Sequence, residues 1–330
     1  MNELKEKIIK LKKSLDVTIV AHYYQKDEVF DMADITGDSL ELAKRSSQTD
    51  TEFILFCGVG FMGQSVKVLA PQKRVLMPRI ACCAMARMID VDYFDENLNI
   101  INKAGIHTKD ILPITYINSS AEVKARVGKL DGIVCTSSNA YDIIKRALKS
   151  GKKIFFVPDR CLGQNFANDL GLKSAVIGID DMKKIKSADI ICYNGFCSVH
   201  QLFTVDDVAF YKDKYPDIIV AVHPECDPSV VAVADFVGST SQLIKFIKEL
   251  DISQKVVVGT EYNMVHRLRQ KNTYTLSATK PQCPTMNETT LEDLYNTLKS
   301  IKDGKYENEI TIEKDVAKYA KIALEKMFEI

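Results

Sequence analysis

The 330-residue chain has no long apolar run, no surplus of charge of one sign and no cysteines in CxxC pairs. Its apolar runs fall short of the roughly 18 residues that a membrane-spanning helix needs, which argues against an integral membrane protein. Lys and Arg together number 44, as do Asp and Glu, and this balance argues against nucleic acid or a membrane surface as a partner of the whole chain. Residues 1–13 are charged and lack the apolar core of a signal peptide, so we expect a cytoplasmic protein.

None of the nine cysteines belongs to a CxxC pair, which argues against a zinc ribbon or a thioredoxin-type site. In a reducing cytosol we do not expect them to form disulfides. Cys57, Cys135 and Cys192 each end an apolar, strand-like run. We therefore interpret these three as small buried core residues.

Short runs rich in β-branched residues alternate with helical patterns, which is typical of a parallel α/β protein. Most of the runs are continuously apolar, as strands buried on both faces are. The predicted strands are 17–21, 52–56, 114–117, 132–135, 153–157, 218–222, 235–237 and 255–258. The sequence contains no linker rich in glycine or serine, so we expect its domains to pack closely.

The same order of elements recurs three times, at intervals of about one hundred residues. The first mark is a strand that ends in a polar cluster, at His22, Tyr116 and His223. The second is a Ser/Thr turn that opens a helix, at Ser39, Ser137 and Ser239. The third is a further strand and loop, at Cys57, Pro158 and Gly259. Any α/β protein repeats strands and helices, but three marks at one period favour a triplicated fold.

We therefore predict an α/β protein with three similar three-layer α/β/α domains, whose short parallel sheets surround a pseudo-threefold axis. The expected domains are residues 1–86, 87–185 and 186–286, in line with a chain too long for a single core. The helices predicted within residues 287–330 are expected to pack back on the first domain.

One cysteine lies near the end of each repeated segment, at Cys83, Cys197 and Cys283. Three thiolates brought together can hold an iron–sulfur cluster in which one iron has no protein ligand. Such an iron can act as a Lewis acid on a substrate. The competing interpretation is a zinc site with three cysteines and one histidine, for example His200.

Polar side chains at the strand ends predict a shared cavity, because α/β sheets bind ligands beyond the carboxyl ends of their strands. These side chains can exchange protons or form hydrogen bonds, and they are His22, Tyr24, Tyr116, Asn118, His223 and Glu225. The Ser/Thr turns either cap their helices through Ser39, Ser137 and Ser239 or offer free N–H groups to anions. Three anion turns around one cavity would favour a polyanionic substrate.

Several of these motifs resemble the quinolinate synthase family over about residues 17–290. The matching runs are His22-x-Tyr24-Gln25, Gly37-Asp38-Ser39, Tyr116-Ile117-Asn118-Ser119, Cys135-Thr136-Ser137-Ser138-Asn139-Ala140, Pro158-Asp159 with Leu162-Gly163, Gly195-Phe196-Cys197 with His200, His223-Pro224-Glu225-Cys226, Gly238-Ser239-Thr240-Ser241 and Cys283 with Met286. So many motifs in the same order make the resemblance specific.

The resemblance implies a transferase built from three similar α/β domains around one [4Fe–4S] cluster. Such enzymes condense iminoaspartate with dihydroxyacetone phosphate to give quinolinate, phosphate and water in de novo NAD biosynthesis. By resemblance the cluster ligands are Cys83, Cys197 and Cys283, and the open iron would bind substrate. An L-aspartate oxidase or dehydrogenase that supplies the imine is an implied partner.

The resemblance also implies roles for individual residues. The implied catalytic residues are Tyr24 and Glu225 as acid–base groups, together with His22, His223 and Tyr116. The implied substrate-binding residues are His22, Ser39, Tyr116, Asn118, Ser137, His223, Glu225, Ser239 and Thr240. Of these, the serines and Thr240 would bind phosphate or carboxylate, in agreement with the anion turns found from the sequence.

One departure from the family pattern concerns the first ligand. Many members have glycine before it, whereas this chain has Cys82, and the register with Met85 and Met88 favours Cys83 as the ligand. Two other functions remain open at this point. An iron–sulfur hydro-lyase would act on a hydroxy acid without needing a phosphate turn, and a non-enzymatic iron–sulfur sensor would usually carry an added recognition domain.

Overall fold

The computed structural model describes residues 2–268 and 272–329 and contains three parallel β-sheets. Each sheet with its flanking helices is called a unit below. Met1, residues 269–271 and Ile330, which the expected domain ranges include, lie outside the described residues.

The helices and strands follow one another in the order expected for α/β units. The first unit contains α1 Asn2–Leu15, β1 Val17–His22, α2 Asp27–Phe30, β2 Ile35–Gly37, α3 Ser39–Ser47, β3 Phe53–Cys57, α4 Gly60–Leu69 and β4 Arg74–Leu76. The second contains α5 Val91–Lys103, β5 Ile111–Tyr116, α6 Ala121–Lys129, β6 Ile133–Cys135, α7 Ala140–Leu148, β7 Lys153–Val157, α8 Arg160–Asp169, β8 Ser174–Val176, α9 Met182–Ser187 and β9 Ile190–Cys192. The third contains α10 Val205–Lys214, β10 Ile219–Val222, α11 Pro228–Val231, β11 Phe236–Val237, α12 Thr240–Glu249, β12 Val256–Gly259, α13 Tyr262–Arg267 and β13 Thr273–Thr275, and α14 Leu291–Lys302 and α15 Lys314–Lys326 follow it.

The three sheets share one topology. Their strand orders are β2-β1-β3-β4, β6-β5-β7-β9-β8 and β11-β10-β12-β13, and the paired strands are parallel. The second sheet differs by β8, which enters the chain together with α9 between β7 and β9. The repeated order confirms the predicted α/β class with three similar units.

Helices cover both faces of the first sheet, and the alternation of side chains along β1 explains why. Every residue of β1 is buried, as expected for an apolar strand inside a layered fold. Ile19 packs with Ile8 of α1 and with Leu294 of α14 on one face. Its neighbour Val20 points to the other face and joins the core that contains Leu42 of α3. The unit therefore has the predicted α/β/α layers.

The two C-terminal helices divide between units. Helix α14 packs against α1 of the first unit, whereas α15 lies mainly against α6 of the second unit and less extensively against β6 and against α4 of the first unit. The contact between α15 and α6 is close, because a Cβ atom at Gly128 would lie 2.0 Å from the carbonyl oxygen of Tyr319. Helix α14 therefore contacts the first unit, and α15 joins the first unit to the second.

The second sheet extends past the expected boundary after residue 185, since β9 begins at Ile190 and pairs with β7. The domain boundaries as a whole stay a prediction. None of the helices within the described residues is both long enough and apolar enough to cross a lipid bilayer.

Candidate active site

Residues at the carboxyl ends of β1, β5 and β10 line one cavity of about 650 Å³. Twelve of the predicted site residues contribute to its wall, namely His22, Tyr24, Ser39, Cys83, Tyr116, Asn118, Ser137, Cys197, His223, Glu225, Thr240 and Cys283. The remaining one, Ser239, lies behind the wall, where its hydroxyl oxygen accepts a hydrogen bond from Ser138 Oγ at 2.9 Å. The structure therefore brings together the residues that the repeat analysis selected.

Each cysteine loop is tied to the helix that follows the third strand of the repeat by the same main-chain hydrogen bond. The carbonyl two residues before the cysteine accepts the N–H of the first residue of that helix. The three bonds join Gly60 N to Ala81 O at 2.8 Å, Arg160 N to Gly195 O at 2.8 Å and Tyr262 N to Pro281 O at 3.0 Å.

The three loops also continue in the same way. A short 3₁₀ turn begins three residues after each cysteine, at Ala86–Met88, His200–Leu202 and Met286–Glu288. Cys83, Cys197 and Cys283 are thus structurally equivalent, and Cys82 is an exposed neighbour of the first. The longer segment before Cys197 contains the inserted β8 and α9, which accounts for its irregular spacing in the sequence.

The three thiols lie in a setting that disfavours their charged form. Burial raises the pKa of Cys83 to about 12, raises that of Cys197 well above its ordinary value and also raises that of Cys283. Among the described residues that line the cavity, none is lysine or arginine. Because metals bind thiolates, a positively charged metal centre would supply the missing compensation. Three soft sulfur donors fit an iron–sulfur cluster or zinc.

Glu225 is held between three polar neighbours and is 4% exposed. Tyr116 Oη donates to its Oε1 at 2.6 Å, and His200 Nδ1 lies 3.1 Å from its Oε2. His223 Nδ1 lies 3.8 Å from Oε1. Burial by itself would raise the pKa of Glu225, but attraction to His200 and His223 and the hydrogen bond from Tyr116 together lower it to about 2. The carboxylate is therefore ionised at neutral pH and can accept a proton.

His200 is a site residue that the sequence suggested only as a zinc ligand. One donor atom each from Cys197, His200 and Glu225 lie within 4.8 Å of one another, a spacing that could suit a metal ion. Both ring nitrogens are already in hydrogen bonds, Nδ1 with Glu225 at 3.1 Å and Nε2 with Thr260 Oγ1 at 3.1 Å. This arrangement favours a role in holding Glu225 over a role as fourth zinc ligand.

Tyr24 has two hydroxyl neighbours from the third unit. Its Oη lies 3.0 Å from Thr240 Oγ1 and 2.9 Å from Thr260 Oγ1. Burial, and next the negative charge of Glu225, hold the pKa values of Tyr24 and Tyr116 well above the ordinary tyrosine value. Both phenols are therefore neutral and can donate protons.

His22 and His223 occupy matching positions in the first and third units. Burial lowers the pKa of His22 to about 4 and that of His223 to about 3, so both rings are neutral at pH 7. In each ring Nδ1 accepts a main-chain N–H from two residues further on, from Tyr24 at 3.1 Å and from Glu225 at 3.3 Å. The ring proton therefore resides on Nε2, which can donate to a ligand.

Three helices begin at the cavity, but not all of the serines cap them. Helix α3 is capped by Asp38, whose Oδ1 accepts the N–H groups of Leu40 and Glu41. The residue before α7 is Asn139. Capping by Ser39 and by Ser137 was therefore a wrong expectation, whereas capping of α12 by Ser239 is confirmed.

Asp38 also joins the three units at this point. Its Oδ2 accepts hydrogen bonds from Ser138 Oγ at 2.9 Å and from Ser241 Oγ at 2.7 Å. Asp38, Ser138 and Thr260 have no role that the sequence alone predicts, although the first two lie inside the motifs given above. Their importance depends on contacts between segments that are about one hundred residues or more apart, which repeat spacing alone does not specify.

Comparisons with known proteins identify the family of the chain. Residues 6–329 match the protein family described as quinolinate synthetase A protein. The chain is 56% identical over 333 residues to the quinolinate synthase of Helicobacter pylori (strain ATCC 700392 / 26695). This alignment covers 100% of the present chain and 98% of the Helicobacter pylori protein.

More distant relatives align over nearly the same extent. The quinolinate synthase of Streptomyces coelicolor is 38% identical over 94% of this chain and 84% of its own length. That of Anoxybacillus flavithermus is 37% identical over 99% of this chain and 93% of its own length. Because the family match and these relatives span almost the whole sequence, the chain belongs to the quinolinate synthase family and is an enzyme.

Proposed function

We propose that this enzyme condenses iminoaspartate with dihydroxyacetone phosphate to give quinolinate, phosphate and water, in the biosynthesis of NAD. The observation that carries the proposal is that three equivalent cysteine loops and the proton-exchanging side chains Glu225, Tyr116 and Tyr24 line one cavity.

The proposed cofactor is a [4Fe–4S] cluster held by Cys83, Cys197 and Cys283. The donor set fits it, because three sulfur atoms from structurally equivalent loops face the same cavity. When bound, the cluster would supply a Lewis-acidic iron that polarises a substrate oxygen or nitrogen. The competing zinc site has less support, since both nitrogens of His200 already form hydrogen bonds.

The anionic groups of both substrates would bind at the helix ends. Ser39, Ser137 and Thr240 line the cavity beside the N-termini of α3, α7 and α12. Asp38 and Ser239 already accept some of the N–H groups at α3 and α12, but the N–H groups that no capping side chain holds, together with the helix dipoles, favour phosphate or carboxylate there. This source of positive potential fits a cavity whose described wall residues include neither lysine nor arginine. Ser239 does not line the cavity, and in this proposal it orients Ser138, which does, through their hydrogen bond.

Proton transfer is assigned to the residues around Glu225. Its ionised carboxylate would take a proton from carbon during tautomerisation, and the neutral Tyr24 phenol would give one to a departing oxygen. Tyr116 would orient Glu225 through their 2.6 Å hydrogen bond.

Three further side chains would hold the substrate. His22 and His223 would donate from Nε2 to hydroxyl or carboxylate groups. Asn118 Oδ1 is buried and has no hydrogen-bond partner among the described residues. That oxygen would therefore be satisfied by a donor on the substrate.

The other two functions receive less support. Membership of an enzyme family removes the reason for a non-enzymatic sensor. A hydro-lyase would use the same iron chemistry but would not need three helix N-termini beside the cavity. Product analysis separates this possibility from the proposed condensation.

The proposal is tested with anaerobically reconstituted enzyme and dihydroxyacetone phosphate, while an L-aspartate oxidase or dehydrogenase generates the imine. We expect quinolinate and phosphate to form in equal amounts, and no quinolinate to form when dihydroxyacetone replaces its phosphate ester. An iron-replete enzyme that makes no quinolinate, or that dehydrates a hydroxy acid alone, would contradict the proposal. If the oxidase or dehydrogenase delivers the imine directly, added scavengers of free imine will not lower the yield.

A further inference from the structure

Three short loops carry residues that the proposed function places at the substrate. Each follows the first strand of a unit and continues from His22, Tyr116 or His223. In every loop, the main-chain carbonyls one and three residues after that position accept hydrogen bonds from a single side chain. The three side chains are of different types and come from different helices.

In the first loop the donor is Arg267, which extends from α13 of the third unit. Its guanidinium donates to the carbonyls of Tyr23 and Gln25, on either side of Tyr24, the second at 2.8 Å. It also donates to the carboxylate of Asp27 at 2.8 Å. The side chain is 18% exposed, so it spans the junction between two units largely out of solvent.

In the third loop the donor is Asn165, which extends from α8 of the second unit. Its Nδ2 donates to the carbonyls of Pro224 and Cys226, both at 2.8 Å, on either side of Glu225. Asn165 is 6% exposed. These two bonds fix the amide orientation, because the opposite orientation would set Oδ1 against two carbonyl oxygens.

In the second loop the donor is Lys124, which belongs to α6 of the same unit. Its Nζ donates to the carbonyl of Ile117 at 2.7 Å and to that of Ser119, on either side of Asn118. Lys124 is 1% exposed, and its Nζ lies 5.4 Å from the centroid of the Phe61 ring. A lysine this deeply buried needs partners of this kind for its donors.

The repeat explains why the donor to the second loop is a lysine of α6 and not a residue of α4. Arg267 and Asn165 are each the sixth residue of the helix that follows the third strand in their units. The sixth residue of α4 is Ser65, whose short side chain donates within its own helix to Phe61 O at 2.7 Å. Lys124 supplies the corresponding pair of hydrogen bonds from a different helix, α6. The equivalent pair of carbonyls in each unit therefore accepts hydrogen bonds from a side chain of a different type.

We propose that Arg267, Lys124 and Asn165 are positioning residues, which hold Tyr24, Asn118 and Glu225 in the orientation that the reaction needs. Two hydrogen bonds to the carbonyls that flank one residue fix the chain on both sides of it, and so fix the direction of its side chain. The inference rests on the proposed function for the roles of the three held residues. A misplacement of about 1 Å can cost a reaction about 100-fold in rate.

The first test compares Lys124→Met with Lys73→Met. Lys73 is also buried and its Nζ also donates to two carbonyls, those of Thr49 and Thr51, but these precede β3 at the end of the sheet opposite the cavity. We expect both variants to melt at lower temperature and to keep wild-type iron content. Only Lys124→Met should lose kcat/KM, by about 100-fold, with part of the loss in kcat and part in KM, because Asn118 is assigned to hold the substrate.

The second test uses rescue by a conservative substitution. Arg267→Met should lose kcat to a similar extent, whereas Arg267→Lys should recover most of it, because the single Nζ atom of Lys124 already bonds both carbonyls in the second loop. Asn165→Asp keeps the shape of the side chain but replaces the donor with an acceptor, so it should behave like Arg267→Met.

Amide hydrogen exchange, measured without substrate, gives a readout that does not depend on the reaction. We expect amides of the affected loop to exchange at least about tenfold faster in each disabling variant, and those of the other two loops to be unchanged. Unchanged exchange in the loops, or equal kcat/KM in the Lys124→Met and Lys73→Met variants, would overturn the inference. If the wild-type enzyme makes no quinolinate, the proposed function fails, and the exchange data still decide the positioning.

Discussion

Glu225 can act as a base only because its neighbours outweigh the cost of its burial. An isolated buried carboxyl group would be protonated at pH 7, but Tyr116, His200 and His223 together keep its pKa near 2. His200 is the strongest of these neighbours, through its attraction and its contact of 3.1 Å with the carboxylate, and Tyr116 adds a hydroxyl donor at 2.6 Å.

The first prediction concerns this carboxylate. Glu225→Gln keeps the shape of the side chain but removes the proton acceptor, and we expect kcat to fall by about 10²–10⁴-fold while iron content is unchanged. The control is Glu309→Gln, which alters a carboxylate paired with Arg74 at 2.6 Å outside the cavity wall. Quinolinate formation by Glu225→Gln at the rate of the control would contradict the assigned role.

The second prediction distinguishes two adjacent thiols. Cys82 is exposed, whereas Cys83 lines the cavity and shares the main-chain bonding of the other two cysteine loops. We expect Cys82→Ser to keep its iron and its visible absorbance after anaerobic reconstitution, and Cys83→Ser to lose most of both. Loss of the absorbance in Cys82→Ser, with retention in Cys83→Ser, would reverse the ligand assignment.

The third prediction concerns the charge of Lys124. Burial lowers its pKa to about 7 although Glu122 acts in the opposite sense, whereas the unfolded chain keeps a pKa near 10.4. Between these values the unfolded chain binds a proton that the folded chain does not, so the free energy of unfolding rises with pH. The neutral amine still has N–H donors for its carbonyl partners.

We therefore expect the free energy of unfolding of the wild type, relative to that of Lys124→Met, to rise by about 2 kcal/mol between pH 7 and pH 9. The measurement is the difference in Tm between the two proteins at each pH, which removes the pH dependence that they share. A difference that is constant or shrinks as pH rises would contradict the lowered pKa.

At the scale of single residues, sequence spacing identified most of the cavity wall. Polar residues directly after buried strands, such as His22 and His223, are visible because the strands are apolar runs. His200, Thr260 and Asn165 could not be found in this way, since their partners lie on other units or in distant loops. Their side chains acquire a role only when the units meet.

At the scale of elements, the longer apolar strands were predictable and several short ones were not. The strands β2, β4, β8 and β13 have three residues each, which leaves too short a pattern to separate a strand from a loop. The two-residue β11 lies within the predicted strand 235–237. The predicted helix openings at Ser39, Ser137 and Ser239 lie within three residues of the first residues of α3, α7 and α12. The cap residues of α3 and α7 were not predicted. Asp38 caps α3 because it directly precedes Ser39, the first helical residue, and its Oδ1 accepts the N–H groups of Leu40 and Glu41.

Helix α15 shows a second limit of the sequence pattern. Its amphipathic pattern predicts that one face of the helix is buried. The pattern does not predict which part of the molecule covers that face. The surface that it meets is set by Gly128, where the absence of a side chain lets α6 approach the backbone at Tyr319. A glycine inside a helix gives a signal of this kind only when the partner helix is known.

The fourth prediction tests that contact. In Gly128→Ala the new methyl group would lie 2.0 Å from the Tyr319 carbonyl oxygen, so the helices must separate. We expect the free energy of unfolding to fall by about 1–3 kcal/mol despite the better helix propensity of alanine. Glu122→Ala, on the exposed side of the same helix, serves as the control and should leave the Tm nearly unchanged. A Gly128→Ala protein as stable as the control would rule out the close packing.

At the scale of the whole molecule, the triplication explains how residues far apart in sequence reach one cavity. Three sheets of the same topology each present a strand end, a helix start and a cysteine loop. The structural equivalence of the cysteine loops leads us to propose that the second unit ends after the turn His200–Leu202 and not at residue 185. With that change each unit contains one cysteine at its end.

The central claim is that Cys83, Cys197 and Cys283 together hold one cluster, and counting iron and acid-labile sulfide per chain tests it most directly. After anaerobic reconstitution, wild type and the Cys82→Ser control should each contain about four of both. Each of the variants Cys83→Ser, Cys197→Ser and Cys283→Ser should retain only a small fraction of that content. Full iron and sulfide content in any one of these three variants would contradict the claim.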